Sequence, residues 1–455
     1  MYIRIIIIIL LYVVKKSLEL SFSDLINQEL LTSLWLLVLL LLESTRSFTI
    51  YRFFYITITV FLYSRIILQV MGLNDFEYLS LFVTKSIDEN NYLKVLHLMD
   101  YIMFILAIWQ EIVLKIKIGK FYGHGKRLNL LFKHINFPLT VCTLILCSVV
   151  IYFDIKVVLL VYKFGYLALF NGTIGDTIAY KISTLCFRIL VVLMILNWSI
   201  ITSKKSSVKL INALFIITLL LESFKGQRGH TMLWLLFMIY IFLIWHKNKF
   251  SIKLVLGMFS LAIIMLFGAS IAREENSEVL GDLLYTQGIS LEVPLLVLEK
   301  KNELLNTGDN YLFGPTFDYV NRNLQGWDIS GRTKSLVEHS EYLGYDLIYF
   351  TNPKAFYAGF GTGSSIIGEL LLTKLPGINF VLILLIVEIV RRFEVMFLFG
   401  KFIAPYVFMK FWYMPRDSFY KFPQDLIFGV LTTVLLMSLW VLLKSVFYGY
   451  SKVNY

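Results

Sequence analysis

The chain has 455 residues, 58% of them hydrophobic and only 16% charged, and its mean hydropathy is +0.73. A soluble domain carries roughly a quarter of its residues as Asp, Glu, Lys and Arg, so composition excludes a water-soluble globular protein and makes lipid the solvent. The net charge of +11 does not signal a nucleic-acid partner either: residues 273–375 hold 8 Lys/Arg against 14 Asp/Glu, and the positive excess falls in short connections between apolar runs.

The chain opens MYIRIIIIILLYVVKK, a charge followed by an apolar stretch as in a signal sequence. It lacks a small-residue cleavage site, which predicts an uncleaved first span. A membrane span needs about 20 mostly apolar residues. Such runs lie near 2–14, 30–43, 52–70, 96–114, 138–155, 181–202, 208–224, 232–246, 254–271, 377–390, 395–412 and 424–443. The expected fold is therefore an all-α polytopic membrane protein with about 12 transmembrane helices. Residues 1–272 would hold the first nine helices, 273–375 one large, partly helical extracytoplasmic loop, and 376–455 the last three. Helix-like patches at 291–305 and 335–350, with Trp327 and several tyrosines, predict that the loop is folded.

Orientation follows from Lys and Arg. Lys115, Lys117, Lys120, Lys126, Arg127 and Lys133 form one basic connection; Lys204, Lys205 and Lys209 a second; Lys247, Lys249 and Lys253 a third; Arg391 and Arg392 a fourth. Two predicted spans separate each from the next, so all four can face the cytoplasm together, with both termini inside and the large loop outside. Three outward connections carry positive charge against this trend. Lys15 and Lys16 follow the first span and read as snorkelling side chains; Lys225 and Arg228 lie in KGQRGHT, and Arg416 in MPRDSFYKFP.

Those outward arginines suit phosphate. A guanidinium is a planar fork of donors matched to phosphate oxygens and is charged at every relevant pH. Arg228 lies in a Gly-x-Arg-Gly turn, Arg273 ends the ninth span, Arg416 follows a proline, and Arg322 and Arg332 lie in the loop. With Lys225 they make a candidate diphosphate clamp; contact with ordinary phospholipid phosphates is the competing reading. The segment AGFGTGSSIIGELLL (358–372) has closely spaced glycines but no βαβ setting, which argues against a dinucleotide site. It reads instead as a tight return to the membrane, followed by a helix opened by Ser364 or Ser365, with Glu369 in its first turns. A carboxylate desolvated there can act as a general base, or merely complement the helix dipole. His339, in LVEHSEYLGYD, and His230, in the Arg228 turn, are the two external histidines, and either is an alternative candidate base. Asp100, Arg188, Glu222 and Lys410 are costly within spans and should face the bundle interior, Arg188 pairing with Glu222. Cys142, Cys147 and Cys186 all lie in apolar runs, so neither a disulfide framework nor a zinc site is expected. No metal cluster, Ser-His-Asp pattern or nucleotide loop is legible.

The basic Gly-x-Arg turn, the segment YTQGISLEVPLLVLEK (285–300), GTGSS-IIGEL closing the loop, and Pro-Arg before the last span together resemble the O-antigen polymerases of the Wzy class. The motifs cover the second half of the chain; the first half contributes topology. The resemblance implies a bacterial inner-membrane enzyme joining polyprenyl-diphosphate-linked oligosaccharide repeat units at the periplasmic face, without a cofactor, with a chain-length regulator protein as a possible partner. An O-antigen ligase has a similar topology, and a lipid-linked sugar transporter is the non-enzymatic alternative, although transporters carry short loops and internal repeats. The orientation is directly testable: a reporter fused after Lys205 or Lys249 should read cytoplasmic and one at Asp309 extracytoplasmic, and a cytoplasmic reading at Asp309 would rule the orientation out.

Overall fold

The computed structural model describes residues 2–22, 24–44, 50–72, 88–113, 136–170, 173–200, 206–226, 288–325, 332–396 and 398–453, with isolated positions between 233 and 268. Every regular element among them is helical, as hydrocarbon requires of a chain that must satisfy its backbone polar groups within each segment. The first seven helices are α1 (Tyr2–Ser21), α2 (Leu25–Ser44), α3 (Ile50–Val70), α4 (Glu89–Val113), α5 (Asn136–Phe164), α6 (Ile178–Ile200) and α7 (Ser206–Phe224). Short helices follow: α8 (Glu292–Glu299), α9 (Lys301–Asn306), α10 (Gly314–Gln325), α11 (Lys334–His339), α12 (Leu343–Thr351), α13 (Pro353–Tyr357) and α14 (Ile366–Leu371). The chain then forms α15 (Pro376–Met396), α16 (Leu398–Tyr413) and α17 (Phe422–Val453).

These long helices coincide with the expected spans, and the expected spans 232–246 and 254–271 lie largely outside the described residues. Six helices among the described residues are long and apolar enough to cross a membrane by composition alone: Leu25–Ser44, Ile50–Val70, Glu89–Val113, Phe137–Phe164, Ile178–Trp198 and Phe419–Leu439. Large apolar side chains such as Ile3, Phe137, Leu159 and Leu435 point outward, as lipid-facing positions should.

Helix α3 sits in the centre, with Phe54, Ile58, Leu62, Tyr63 and Ile66 fully buried. Its residues Thr59–Tyr63 form a π-helical turn, a feature often found at functional sites. Ser64 Oγ donates back to the Val60 carbonyl at 2.7 Å there, and such back-bonding bends helices. On one side α3 packs on α16, where Phe54 stacks on Phe411 and Trp412 Nε1 donates to the Ile50 carbonyl at 2.9 Å. At its far end Arg65 forms a buried ion pair of 2.6 Å with Glu292 of α8, tying the 288–375 segment to the spans.

The charged residues inside the bundle find partners there, which hydrocarbon demands. Lys15 does not snorkel: it is buried and bonds both Glu19 and Asp100, and Thr32 donates to the same Asp100 oxygen at 2.9 Å. Asp100, Glu222 and Lys410 are buried as expected, but Arg188 is exposed and lies over the Phe428 ring at 6.0 Å. Glu222 pairs instead with Lys225 at 2.7 Å. Lys225 is only 1% exposed, and its Nζ also donates to Asp154 at 2.7 Å and Ser183 at 2.8 Å, joining α5, α6 and α7. Lys225 is thus a brace between helices rather than a phosphate ligand. A lysine only three residues beyond Glu222 reaches back along the helix, and sequence could not tell this from an outward turn.

Replacing Lys225 with Met should strand two buried carboxyl groups and cost about 3–5 kcal/mol of stability. Adding Asp154→Asn and Glu222→Gln should recover most of the loss in thermal unfolding of the detergent-solubilised protein; equal melting of wild type and Lys225→Met would contradict the brace.

Candidate active site at the joint of two turns

Two turns come together to build the site. The first is the 358–365 return. Asn352 caps α13 by accepting the Ala355 N–H at 3.0 Å, and after α13 the chain reverses through Gly363, whose φ of +73° is a left-handed conformation that favours glycine. The second turn follows α16, where Pro415 cannot continue the helix and the Arg416 and Asp417 N–H groups both fold back onto the Tyr413 carbonyl. The Ile366 N–H donates to the Met414 carbonyl at 2.8 Å, pinning one turn to the other.

Glu369 lies at this joint and is wholly buried. It follows Ser365, the N-cap of α14, but its side chain bonds elsewhere: Ser364 Oγ donates to Oε1 at 2.7 Å, and Ser418 Oγ, from the second turn, to Oε2 at 3.3 Å. Burial pushes the Glu369 carboxyl up to about 8, outweighing the two serine hydrogen bonds that favour the ionised form. The group is therefore poised to exchange a proton near neutral pH.

Asp417 and Lys421 both lie within electrostatic reach of Glu369. Lys421 bonds Asp417 at 2.9 Å and stands 3.4 Å from the centre of the Tyr342 ring, while the Tyr342 hydroxyl donates to Asp417 at 2.9 Å. Lys410, buried in α16, lies 3.5 Å from Asp417 and 3.4 Å from Asp425. Burial alone would raise Asp417, but Lys421 and Lys410 hold it well below the usual carboxylate range, so it stays an anion. Arg416 reaches over the Phe61 ring at 5.4 Å, bringing the π-helical turn of α3 to the site. Arg332 is faced by rings, Tyr345 at 4.6 Å and Phe356 at 5.6 Å, and its Nη1 is buried without a hydrogen-bond partner among the described residues. Its Nη2 would stand 3.1 Å from a Cβ at Gly361, on the return itself.

Of the residues singled out in the sequence, Glu369 and Arg416 stand on or beside the two joined turns, and Arg332 lies beside Gly361 of the first. His339 is half-buried at the end of α11, three residues before Tyr342. Arg322 belongs to α10, but its side chain, like all of Arg228, Arg273, His230 and Trp327, lies outside the described residues. Sequence reasoning missed Asp417, Lys421 and Tyr342. The spacing of Asp417 and Lys421, four apart in MPRDSFYKFP, was a signal for an ion pair; the approach of Tyr342 was not legible.

The family profile of O-antigen polysaccharide polymerase Wzy matches residues 1–449. The chain belongs to this family. It is thus a polytopic membrane protein of the O-antigen polymerase class. No curated protein and no solved structure matches the chain.

A second carboxyl of raised pKa lies in this part of the Wzy-family chain. Asp346 of α12 is fully buried and accepts the Tyr311 hydroxyl at 2.7 Å. Burial pushes it up to about 8, with Asp309 and Asp318 adding to the rise. Its folded-state value lies above the ordinary 3.8, so the folded protein holds a proton that the unfolded chain has released. That contribution to stability is complete below about 4 and is lost as pH rises towards about 8. Asp346→Asn, a neutral mimic, should flatten the decline in melting temperature between mildly acidic and mildly alkaline pH; an unchanged decline would assign it to other groups.

Proposed function

We propose that this chain transfers a growing glycan from a polyprenyl diphosphate onto a new lipid-linked repeat unit at the periplasmic face of the bacterial inner membrane. The observation that carries the reading is Glu369: a desolvated carboxyl held between the two turns that also bear Arg332's neighbour Gly361 and Arg416. In the proposed reaction the Glu369 carboxylate takes the proton of an acceptor hydroxyl as that oxygen attacks the anomeric carbon of the donor sugar. The bond from that carbon to the diphosphate oxygen breaks, and the diphosphate leaves with the electron pair. Arg332 and Arg416 would meet the charge that develops on it, stabilising the transition state more than the ground state. Arg228, Arg273 and Arg322 remain proposed partners in that clamp. His339 is the alternative base, and a chain-length regulator protein a proposed partner.

A donor already activated as a lipid diphosphate requires no nucleotide. Arg332 suits the leaving group because, among the described residues, rings face its guanidinium.

Glu369→Gln should lower polymerisation by ~10²–10⁴-fold, as expected for loss of a general base, while donor binding survives. Because a base works in its ionised form, wild-type activity should rise with pH and level off above about 8, and the residual activity of Glu369→Gln should lack that rise. Normal-length chains from Glu369→Gln would remove Glu369 and favour His339. Arg332→Ala should abolish extension at unchanged protein abundance, and Arg332→Lys should rescue it poorly, since an ammonium lacks the planar fork.

A further inference from the structure

Beneath Arg416 lies Phe61, a ring only 2% exposed in the middle of the π-helical turn of α3. The guanidinium carbon stands 5.4 Å from the ring centre, within the ~6 Å at which a cation is drawn to an aromatic face. The same ring meets Tyr413 edge to face at 5.7 Å, and the Tyr413 carbonyl accepts the Arg416 N–H at 2.9 Å. Phe61 thus meets the turn twice, once at the residue that anchors its backbone and once at the side chain it presents.

The π-helical turn that carries Phe61 is itself held from the other side. Ser64 and Arg65, just beyond it, receive the turn that begins at Gly288. A Cβ at Gly288 would stand 2.5 Å from Ser64 Oγ and 2.6 Å from Arg65 Cγ, so the approach requires a residue without one. Arg65 then pairs with Glu292 at 2.6 Å, both side chains buried. The ring is therefore placed by a clasp between α3 and the 288–292 segment, and not by α3 alone.

A guanidinium engages phosphate through a planar fork whose direction matters. A ring at this distance restricts the directions open to the fork while leaving its charge intact, because a quadrupole attracts a cation without neutralising it. We propose that Phe61 is a positioning residue for the reaction, holding the Arg416 guanidinium in the direction from which it meets the departing diphosphate. The inference rests on the polymerase reading and deepens it, since Phe61 acts through Arg416.

The test is the polysaccharide ladder made by cells whose protein carries mono-, di- or trifluorinated phenylalanine at position 61, beside wild type, Phe61→Met and Arg416→Ala, at matched abundance in the membrane. Fluorine weakens the negative face of the ring with little change of shape, so long-chain product should fall stepwise with each fluorine added. Phe61→Met fills a similar volume without a ring face and should lower it about tenfold, and Arg416→Ala should abolish it. Wild-type ladders from every fluorinated ring, with Arg416→Ala inactive, would reduce Phe61 to packing and overturn the proposal while the polymerase site stands. A wild-type ladder from Arg416→Ala would instead remove Arg416 from the clamp, and the positioning role of Phe61 with it.

Discussion

Hydrocarbon cannot solvate a charge, and this constraint organises the whole molecule. Each ionisable side chain carried into the bundle has to meet its partner there. Lys15 meets Asp100 and Glu19, Lys225 meets Asp154 and Glu222, and Arg65 meets Glu292. Lys15–Asp100, Lys225–Asp154 and Arg65–Glu292 join elements distant in sequence, so they help decide which helices are neighbours as well as neutralising one another. Removing one partner leaves a buried charge uncompensated, which is far costlier than the pair is stabilising.

At the joint of the 358–365 and 414–418 turns the balance differs among the described residues. Lys410 and Lys421 are matched by Asp417 and Asp425, whereas Arg332 is held by rings and Glu369 by two serines. Among the described residues, then, Arg332 is faced by aromatic rings and Glu369 by serine hydroxyls, an arrangement suited to the proposed anionic leaving group and acidic proton. The proposed chemistry needs both. The same joint unites the halves of the molecule, because Phe61 of α3 lies under Arg416 while Met414 anchors α14.

Much of the fold was legible because lipid imposes one rule on sequence: long apolar runs must be helices. The short helix α14 was legible from the serines that open it, and the helical patches near 291–305 and 335–350 were legible too. Glu369 was legible from its place behind GTGSS, but its hydrogen-bond partners were not. The side-chain bond comes from Ser364, and the second from Ser418, 49 residues away in sequence. Lys225 was misread because residues two to three apart in a turn give no sign of which way a long side chain folds.

The sequence by itself determined the solvent, the helical class, the approximate spans and the family resemblance, since each depends on local runs of residue types. Only the tertiary structure decided which charges are braces and which are available. That choice depends on contacts between helices far apart in the chain: Lys225 with Asp154, Tyr342 with Asp417, Ser418 with Glu369. In a low-dielectric interior, a side chain's role follows from the partner it meets, and that partner is set by packing.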